Sequence, residues 1–244
     1  MHIAIGTPMF GGQCTGLFSR SVQALERSLG RDGSKLTMID LGNESLIPRA
    51  RNTVAWRFLN TTDATHLLFC DADQGFRVSD IARMVFVGKP IIVGPVPMKA
   101  INWKRVAKAV KDGVPPEQLH LYAGIFNIVH LDGQRTVPAD EPFEIKFGGS
   151  GLMLIERRVF EELAPDTEEY ANKNPGDAMP LGARVKNFFP VFVENDDLLS
   201  EDYAFCAKWR EAGGSIWCAP WCEIAHAGTY IFRGSYKDAF AWQG

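Results

Sequence analysis

The chain has 244 residues, of which 46% are hydrophobic and 23% are charged, and it carries a formal net charge of −3 at pH 7. This composition excludes a disordered chain and allows one sizeable core, so we expect a single domain. The negative balance provides no basic field for a nucleic-acid backbone, and no apolar run reaches the roughly 18 residues that span a bilayer. Because the N-terminus also lacks a basic segment followed by a long apolar one, we expect a soluble, cytoplasmic protein.

The five cysteines are an odd number and lack the paired spacing of a structural zinc site. Cys218 and Cys222 are the closest pair, but no second pair matches them. We therefore expect reduced and mostly buried thiols.

The first hundred residues alternate between short apolar runs and amphipathic segments. Strands are predicted at 2–5, 35–41, 67–70 and 90–94, and helices over 15–29, from 47 onward and over 79–86. This alternation is typical of a parallel, Rossmann-like half. The first turn, Gly-Thr-Pro followed by Gly11-Gly12, lacks the GxGxxG spacing, so the dinucleotide-binding fingerprint is absent.

The stretch THLLFCDADQGF, residues 65–76, places two carboxylates after a strand that is apolar on both faces. Ligands of open α/β sheets bind beyond the carboxyl ends of the strands, and oxygen ligands at i and i+2 suit a divalent cation. Asp71 and Asp73 are therefore candidate metal ligands. The alternative is that one of them caps the helix predicted near Ser79.

Two basic features of this half have both a functional and a structural interpretation. Arg49 and Arg51 lie in the first turn of a helix, where acidic residues are usual, so a bound anion would explain them. Lys99, in the loop after the fourth strand, is placed where a cation could meet a phosphate. Simple solvation would account for all three side chains equally.

The second half follows a different, mixed pattern. Helices are predicted over 103–111, from about 156 to 163, and from Ser200, as the cap, to about 212; strands are predicted at 121–131, 142–147, 152–155, 184–193, 215–218 and 222–225, with a surface loop over 164–183. The last strand leads to His226, and the glycine- and aromatic-rich segment 228–236 could close over a site.

Two motifs of the second half each allow two readings. The cluster Gly148-Gly149-Ser150-Gly151 lets a ligand approach the backbone, or it lets the chain bend. Glu201 and Asp202 provide two carboxylates to a functional site, or they only interact favourably with the dipole of the helix that they begin.

Taken in order, Asp-Ala-Asp, Gly-Gly-Ser-Gly, Ser-Glu-Asp and His226 resemble the motifs of the GT-A nucleotide-sugar glycosyltransferases. The resemblance implies an α/β fold: one GT-A, Rossmann-like domain over 1–244 with a mixed, mostly parallel sheet flanked by helices. It also implies a nucleotide-sugar half (1–100), an acceptor-binding and catalytic half (101–226) and a C-terminal tail or lid (227–244). The implied activity is metal-dependent transfer of a sugar from a nucleotide-diphosphate sugar to an acceptor hydroxyl.

The resemblance also implies roles for individual residues. Asp73 looks like the direct ligand of Mn²⁺ or Mg²⁺, Asp71 like the partner of the ribose or of the metal through water, and His226 like the ligand that completes the metal shell. In an inverting enzyme Asp202 looks like the base at the acceptor, with Glu201 as its neighbour or as an acceptor ligand. In a retaining enzyme the same pair would only bind acceptor or donor hydroxyls, and the sequence leaves both possibilities open. Four further residues are expected to bind the donor nucleotide: Thr7, Pro8, Arg51 and Lys99. Gly149 and Ser150 are expected to line the donor sugar and the acceptor.

A UDP-sugar is the favoured donor and a saccharide or other hydroxyl compound the favoured acceptor, with nucleic acid disfavoured by the charge balance. A sugar nucleotidyltransferase is one alternative, although no lysine or arginine follows the first strand until Arg20. A non-catalytic carbohydrate-binding module is the other; its platform would be built from aromatic residues, namely Trp217, Trp221, Tyr230 and Phe232.

Overall fold

The structure is a computed structural model that describes residues 1–31, 33–134, 136–174 and 179–230. Residues 231–244, most of the predicted lid, lie outside the described residues. The helices of the described residues are α1 (Gly16–Arg31), α2 (Ile47–Thr61), α3 (Val78–Phe86), α4 (Trp103–Lys111), α5 (Arg157–Leu163) and α6 (Glu201–Glu211). Short 3₁₀ turns lie at Phe10–Gly12, Pro116–Tyr122 and Ala164–Asp166.

The strands of the described residues are β1 (His2–Met9), β2 (Lys35–Gly42), β3 (His66–Cys70), β4 (Gln74–Gly75), β5 (Ile91–Val93), β6 (Ile128–Val129), β7 (Phe143–Ile145), β8 (Phe147–Gly148), β9 (Leu152–Glu156), β10 (Glu169–Ala171), β11 (Arg184–Lys186), β12 (Phe192–Glu194), β13 (Asp197–Leu199), β14 (Ile216–Cys218) and β15 (Ala225–His226).

Seven of these strands form the central sheet, in the order β2-β1-β3-β9-β5-β14-β7. β1 pairs in parallel with β2 and β3, and β5 pairs in parallel with β14, whereas β9 and β7 run the opposite way. Five of the seven strands thus point in one direction, which confirms the predicted mixed, mostly parallel α/β sheet. Strands from both halves of the chain share this sheet, because β9 lies between β3 and β5.

Helices cover both faces of the sheet, and β3 shows how the sequence places them. Leu67 and Phe69 point into a core built with α2, α5 and α6, while Leu68 and Cys70 point into a second core built with α1 and α3. All four side chains are fully buried. The prediction that this apolar run is a strand buried on both faces is confirmed, and it fixes β3 as an inner strand.

The boundaries predicted in the second half differ more from the structure. The strand expected at 121–131 is instead the 3₁₀ turn Pro116–Tyr122 followed by the short strand β6. The strand expected at 184–193 is divided between β11 and β12, which belong to separate hairpins. Pro190 lies between them, and a proline cannot donate a ladder hydrogen bond.

Within the described ranges, no helix combines the length and the apolar character that crossing a bilayer requires. The five cysteines are free thiols, four of them buried and only Cys14 exposed, as the sequence predicted.

The close packing of α2 on β1 depends on a glycine. A β-carbon added at Gly6 would overlap Val54 of α2 and press on Leu67 and Phe69. We expect Gly6→Ala to lower the free energy of unfolding by about 1–3 kcal/mol, because a packed core resists added volume. Gly30→Ala is the matched control, since its β-carbon meets nothing within 4 Å and alanine favours a helix. Equal urea midpoints for the two variants would contradict this account.

Candidate active site

A cleft of about 720 Å³ opens where β1 and β3 end, at the carboxyl edge of the parallel strands. Most of the predicted site residues line this one cleft, namely Pro8, Arg51, Asp71, Asp73, Gly149, Glu201, Asp202 and His226. The structure therefore brings together residues that are up to about two hundred positions apart in the sequence. Three predicted residues do not line it: Thr7, Lys99 and Ser150.

The turn after β3 carries the two aspartates into the cleft. The backbone N–H of Asp71 donates to the carbonyl of Gly151 at 3.0 Å, and the N–H of Gln74 donates to the carbonyl of Asp71 at 3.0 Å. Neither aspartate caps α3, which begins at Val78 with Arg77 in the position before it. The prediction that one of them caps this helix is therefore wrong, and both carboxylates line the cleft instead.

His226 reaches Asp73 through a short antiparallel pairing. β15 lies against β4 with His226 opposite Gln74, and the N–H of Ala227 donates to the carbonyl of Asp73 at 2.8 Å. Two residues of strand and one further hydrogen bond thus hold the late histidine beside the early aspartate.

The imidazole of His226 has a defined orientation. Its Nδ1 lies 2.7 Å from the carbonyl oxygen of Pro97, which can only accept, so Nδ1 carries a proton. Nε2 lies 3.4 Å from Oδ1 of Asp73. In the neutral ring Nε2 presents a lone pair to a carboxylate oxygen, an arrangement that a cation or a second proton between the two atoms would stabilise.

The pair Asp73 and His226 offers the mixed oxygen and nitrogen ligands that suit Mn²⁺ and also admit Mg²⁺. In the part of the chain that the structure describes, no group of three or more histidine, cysteine or acidic side chains is arranged to hold a metal. The other oxygen of Asp73 is 2.5 Å from Nζ of Lys99, whose side chain is 45% exposed. Asp73 and His226 could supply two protein ligands to a divalent ion, and oxygen atoms of a bound substrate would supply others.

Arg51 is the buried cation of the site. Its side chain is only 4% exposed; Nη2 donates to Oδ1 of Asp71 at 2.9 Å, and Nε lies 3.7 Å from Oε1 of Glu201. The guanidinium also lies over the ring of Phe69, 5.0 Å from its centroid. Burial opposes the charge, but Asp71, Glu201 and Asp202 outweigh it, so the pKa of Arg51 is raised and the side chain stays charged.

The first turn of α6 supplies the second pair of acids. Burial, followed by the neighbouring charge of Asp202, raises the pKa of Glu201 above its ordinary value, although Arg51 acts against the shift. A buried carboxyl with a raised pKa is common in sites that move protons. The alternative, that this pair only complements the helix dipole, does not account for its place in the cleft beside Arg51.

Asp202 is held in a fixed orientation. Its Oδ1 accepts from the hydroxyl of Ser200 and from the N–H of Tyr203 at 2.9 Å, and Oδ2 faces the N–H of Ser150 at 3.4 Å. Ser200 was predicted to cap α6; it precedes the helix, but its hydroxyl donates to Asp202 and caps no backbone N–H. The weak contact at Oδ2 leaves that oxygen able to accept a proton from a ligand.

The glycine cluster makes room for side chains rather than only for a bend. A β-carbon on Gly149 would lie 2.5 Å from Nδ2 of Asn127, and one on Gly151 would overlap the amide of Gln74. Asn127 and Gln74 both line the cleft, and the sequence analysis missed them. Asn127 lies inside the strand expected at 121–131, where no local motif marks it as functional, and Gln74 directly follows the two aspartates, which are the stronger signal.

Tyr203 fixes the amide of Asn127. The tyrosine hydroxyl donates to Oδ1 of Asn127, so the NH₂ group of the amide is left for the cleft side near Gly149. Tyr203 also stacks on Phe147, with ring centroids 5.4 Å apart, and burial raises its pKa to about 12. Its hydroxyl therefore remains a donor throughout the physiological range.

The remaining predicted residues lie around the cleft. The side chain of Thr7 is fully buried within β1, next to Pro8 on the cleft wall. Ser150 is buried as well and presents its N–H to Asp202. Both hydroxyls lack a hydrogen-bond partner among the described residues.

Removing Arg51 would leave two carboxylates facing each other. We expect Arg51→Met to lower the free energy of unfolding by about 3 kcal/mol, at the low end for a broken buried ion pair because Asp71 keeps a third of its surface in solvent. Arg158→Met is the control, since Arg158 pairs with Glu156 and Glu162 on the surface and should cost less than about 1 kcal/mol. Urea denaturation measures both; a loss no larger for Arg51 than for Arg158 would refute the bridging role.

No protein-family model matches the sequence, and no curated protein matches it. Among solved structures, the chain is similar to A197 from STIV (13% identity, TM-score 0.48, covering 97% of this chain and 99% of that one). It is also similar to GalNAc-T7 with UDP, GalNAc and Mn²⁺ (13% identity, TM-score 0.47, covering 93% of this chain and 44% of that one). A third similar structure is the catalytic domain of Drosophila β1,4-galactosyltransferase 7 in complex with xylobiose (12% identity, TM-score 0.47, covering 93% of this chain and 71% of that one). Likenesses this distant carry no argument, so the α/β fold rests on the sheet and helices described above.

Proposed function

We propose that this protein is a metal-dependent glycosyltransferase that moves a sugar from a nucleotide-diphosphate sugar to an acceptor hydroxyl. The observation that carries the proposal is the pairing of two acidic walls in one cleft. Asp73 lies with His226 on one side, Glu201 lies with Asp202 on the other, and Arg51 joins the two sides through Asp71. A leaving diphosphate and a nucleophilic hydroxyl need these two different environments.

On the first wall, Asp73 and His226 would hold Mn²⁺ or Mg²⁺ directly, and Asp71 would meet the ribose or the metal through water. The bound ion supplies positive charge that neutralises the diphosphate as it leaves. Lys99, whose Nζ pairs with Asp73, is the cation proposed to turn toward the diphosphate. Pro8 supports the nucleotide at the end of β1, and the buried Thr7 contributes by shaping the strand behind it.

On the second wall, Asp202 is the proposed base. Its Oδ2 takes the proton of the acceptor hydroxyl, the acceptor oxygen forms a bond to the anomeric carbon, and the bond from that carbon to the diphosphate oxygen breaks. The electron pair leaves with the nucleoside diphosphate. Glu201 lies beside the base and contacts the acceptor, while Gly149 and the N–H of Ser150 border the donor sugar. A UDP-sugar donor and a saccharide acceptor are the favoured pair.

The metal role predicts a conditional stabilisation. We expect thermal denaturation to show a higher midpoint with one nucleotide among UDP, GDP, CMP and dTDP, and only when Mn²⁺ is present. A ligand at about a hundred times its dissociation constant adds roughly 2.7 kcal/mol. Asp73→Asn should abolish the shift, because it removes the anionic oxygen that faces His226.

Asp166→Asn is the control for this experiment, since Asp166 is an exposed aspartate of the 3₁₀ turn that follows α5. An unchanged shift in the Asp73 variant would contradict the metal assignment. Turnover assays separate the alternatives: free UDP released from a UDP-sugar in the presence of an acceptor supports transfer. Pyrophosphate released from a nucleoside triphosphate and a sugar phosphate would point to a nucleotidyltransferase, and binding without turnover to a binding module.

The base assignment predicts a separation of binding from chemistry. Asp202→Asn keeps the acceptor oxygen for Ser200 and Tyr203 but cannot take a proton, so kcat should fall by about 10²–10⁴. Its metal-dependent UDP shift should remain. Glu201→Gln should lower kcat less and affect mainly KM for the acceptor. Full turnover by the Asp202 variant would rule out this role.

A further inference from the structure

Helix α4 carries two neighbouring stripes at helical spacing on its solvent side. Residues at i, i+4 and i+7 share one face of a helix. The basic stripe consists of Lys104, Lys108 and Lys111. The apolar stripe consists of Trp103, Ala107 and Val110. Ala109, on the opposite side, is the only residue of α4 that is fully buried, so this helix lies on the surface rather than in the core.

The apolar stripe is open to solvent, and the next element of the chain has a further exposed apolar side chain. Trp103 is 63% exposed and Val110 is 54% exposed. The 3₁₀ turn Pro116–Tyr122 adds Leu121, which is 66% exposed. Hydrogen bonds hold the chain after this turn against the start of α4, from the N–H of Asn102 to Ala123 and from the guanidinium of Arg105 to Gly124. We call α4 and Pro116–Tyr122 together the α4 face.

The charge of the α4 face is opposite to that of the whole chain. It contains three lysines and Arg105, against one acid, Glu117, with Asp112 at the end of the helix paired to Lys108. The chain carries a net charge of −3. Positive charge beside exposed tryptophan and aliphatic side chains is the composition of a helix that lies in the headgroup region of an anionic bilayer.

A groove beside the α4 face favours lipid over nucleic acid as the partner. This groove has a volume of about 600 Å³, and its apolar lining includes Leu17, Phe76, Pro97, Leu121 and Phe126. Leu121 belongs to the α4 face and Pro97 to the candidate active site, so the groove runs between the two. A nucleic-acid duplex would use the lysines, but its phosphate backbone has no group that matches the apolar side chains of this groove.

We propose that the α4 face binds the surface of an anionic lipid bilayer, with the lysines at the headgroups and the apolar stripe at the acyl boundary. The helix lies on the membrane and does not span it, in keeping with its nine residues. Binding places the mouth of the cleft beside the membrane. This proposal does not depend on sugar transfer, because it concerns only what the surface contacts.

The test is co-sedimentation of the full chain with phosphatidylcholine vesicles that either contain or lack phosphatidylglycerol. We expect pelleting only with phosphatidylglycerol and a decrease as salt increases. Replacing Lys104, Lys108 and Lys111 together by alanine should lower the partition coefficient at least tenfold. The double variant Trp103→Ala with Val110→Ala should lower it severalfold, and more clearly at high salt, where the lysines are screened.

The charge-matched control replaces three exposed cations that do not belong to the α4 face, Arg27, Arg31 and Lys35, by alanine. An equal loss in this control would overturn the proposal, since it would show a general effect of charge. Three other results would also overturn it: absence of pelleting with both vesicles, binding that the Trp103 and Val110 variant leaves unchanged, or binding of a DNA oligonucleotide through the three lysines without vesicle binding. Unchanged circular dichroism and thermal midpoints establish that each variant is folded.

Discussion

The candidate site depends on the ion pairs that the buried guanidinium of Arg51 makes with two carboxylates. Arg51 comes from α2, near the start of the chain, and it reaches Asp71 after β3 and Glu201 at the start of α6. A fully buried arginine is tolerated only where carboxylates compensate for its lost hydration. The same contact therefore stabilises the cation and fixes the distance between the two acidic walls. The ring of Phe69 beneath the guanidinium ties this arrangement to the inner strand of the sheet.

The cleft is built with an excess of negative charge. Five acidic residues line it: Asp71, Asp73, Glu201 and Asp202, and also Glu44, which pairs with Arg49. Arg51 is buried beside Asp71 and Glu201, and Lys99 pairs with Asp73. Burial is the main cause of the raised pKa of Glu201, and the neighbouring charge of Asp202 adds to it. This excess of acidic groups supports the proposal that the nucleotide-sugar enters as a metal complex rather than as a free anion.

The sequence predicted the inner strand and the two aspartates because their signal is local: an apolar run followed at once by polar residues. It predicted the α/β class for the same reason, since β1, β2, β3 and α2 follow simple periodicities. The contribution of Asn127 was not predictable, whereas Pro190 is a signal in the sequence against one continuous strand over 184–193. Short strands such as β6 and β15 have only two residues each, and their pairing is decided by tertiary contacts rather than by propensity. The burial of Arg51 also could not be read from the sequence, because an arginine near a helix start is most often solvated.

The position of β9 has a consequence for how the chain acquires its fold during synthesis. β3 and β5 emerge from the ribosome well before residues 152–156, yet β9 is the strand that separates them in the finished sheet. Neighbouring strands lie about 4.8 Å apart, so β3 and β5 finish roughly 10 Å apart and can be joined in one sheet only after β9 has been synthesised. Until then the edges of β3 and β5 that later pair with β9 have no native partner, and unpaired strand edges are where a nascent chain is open to wrong pairing.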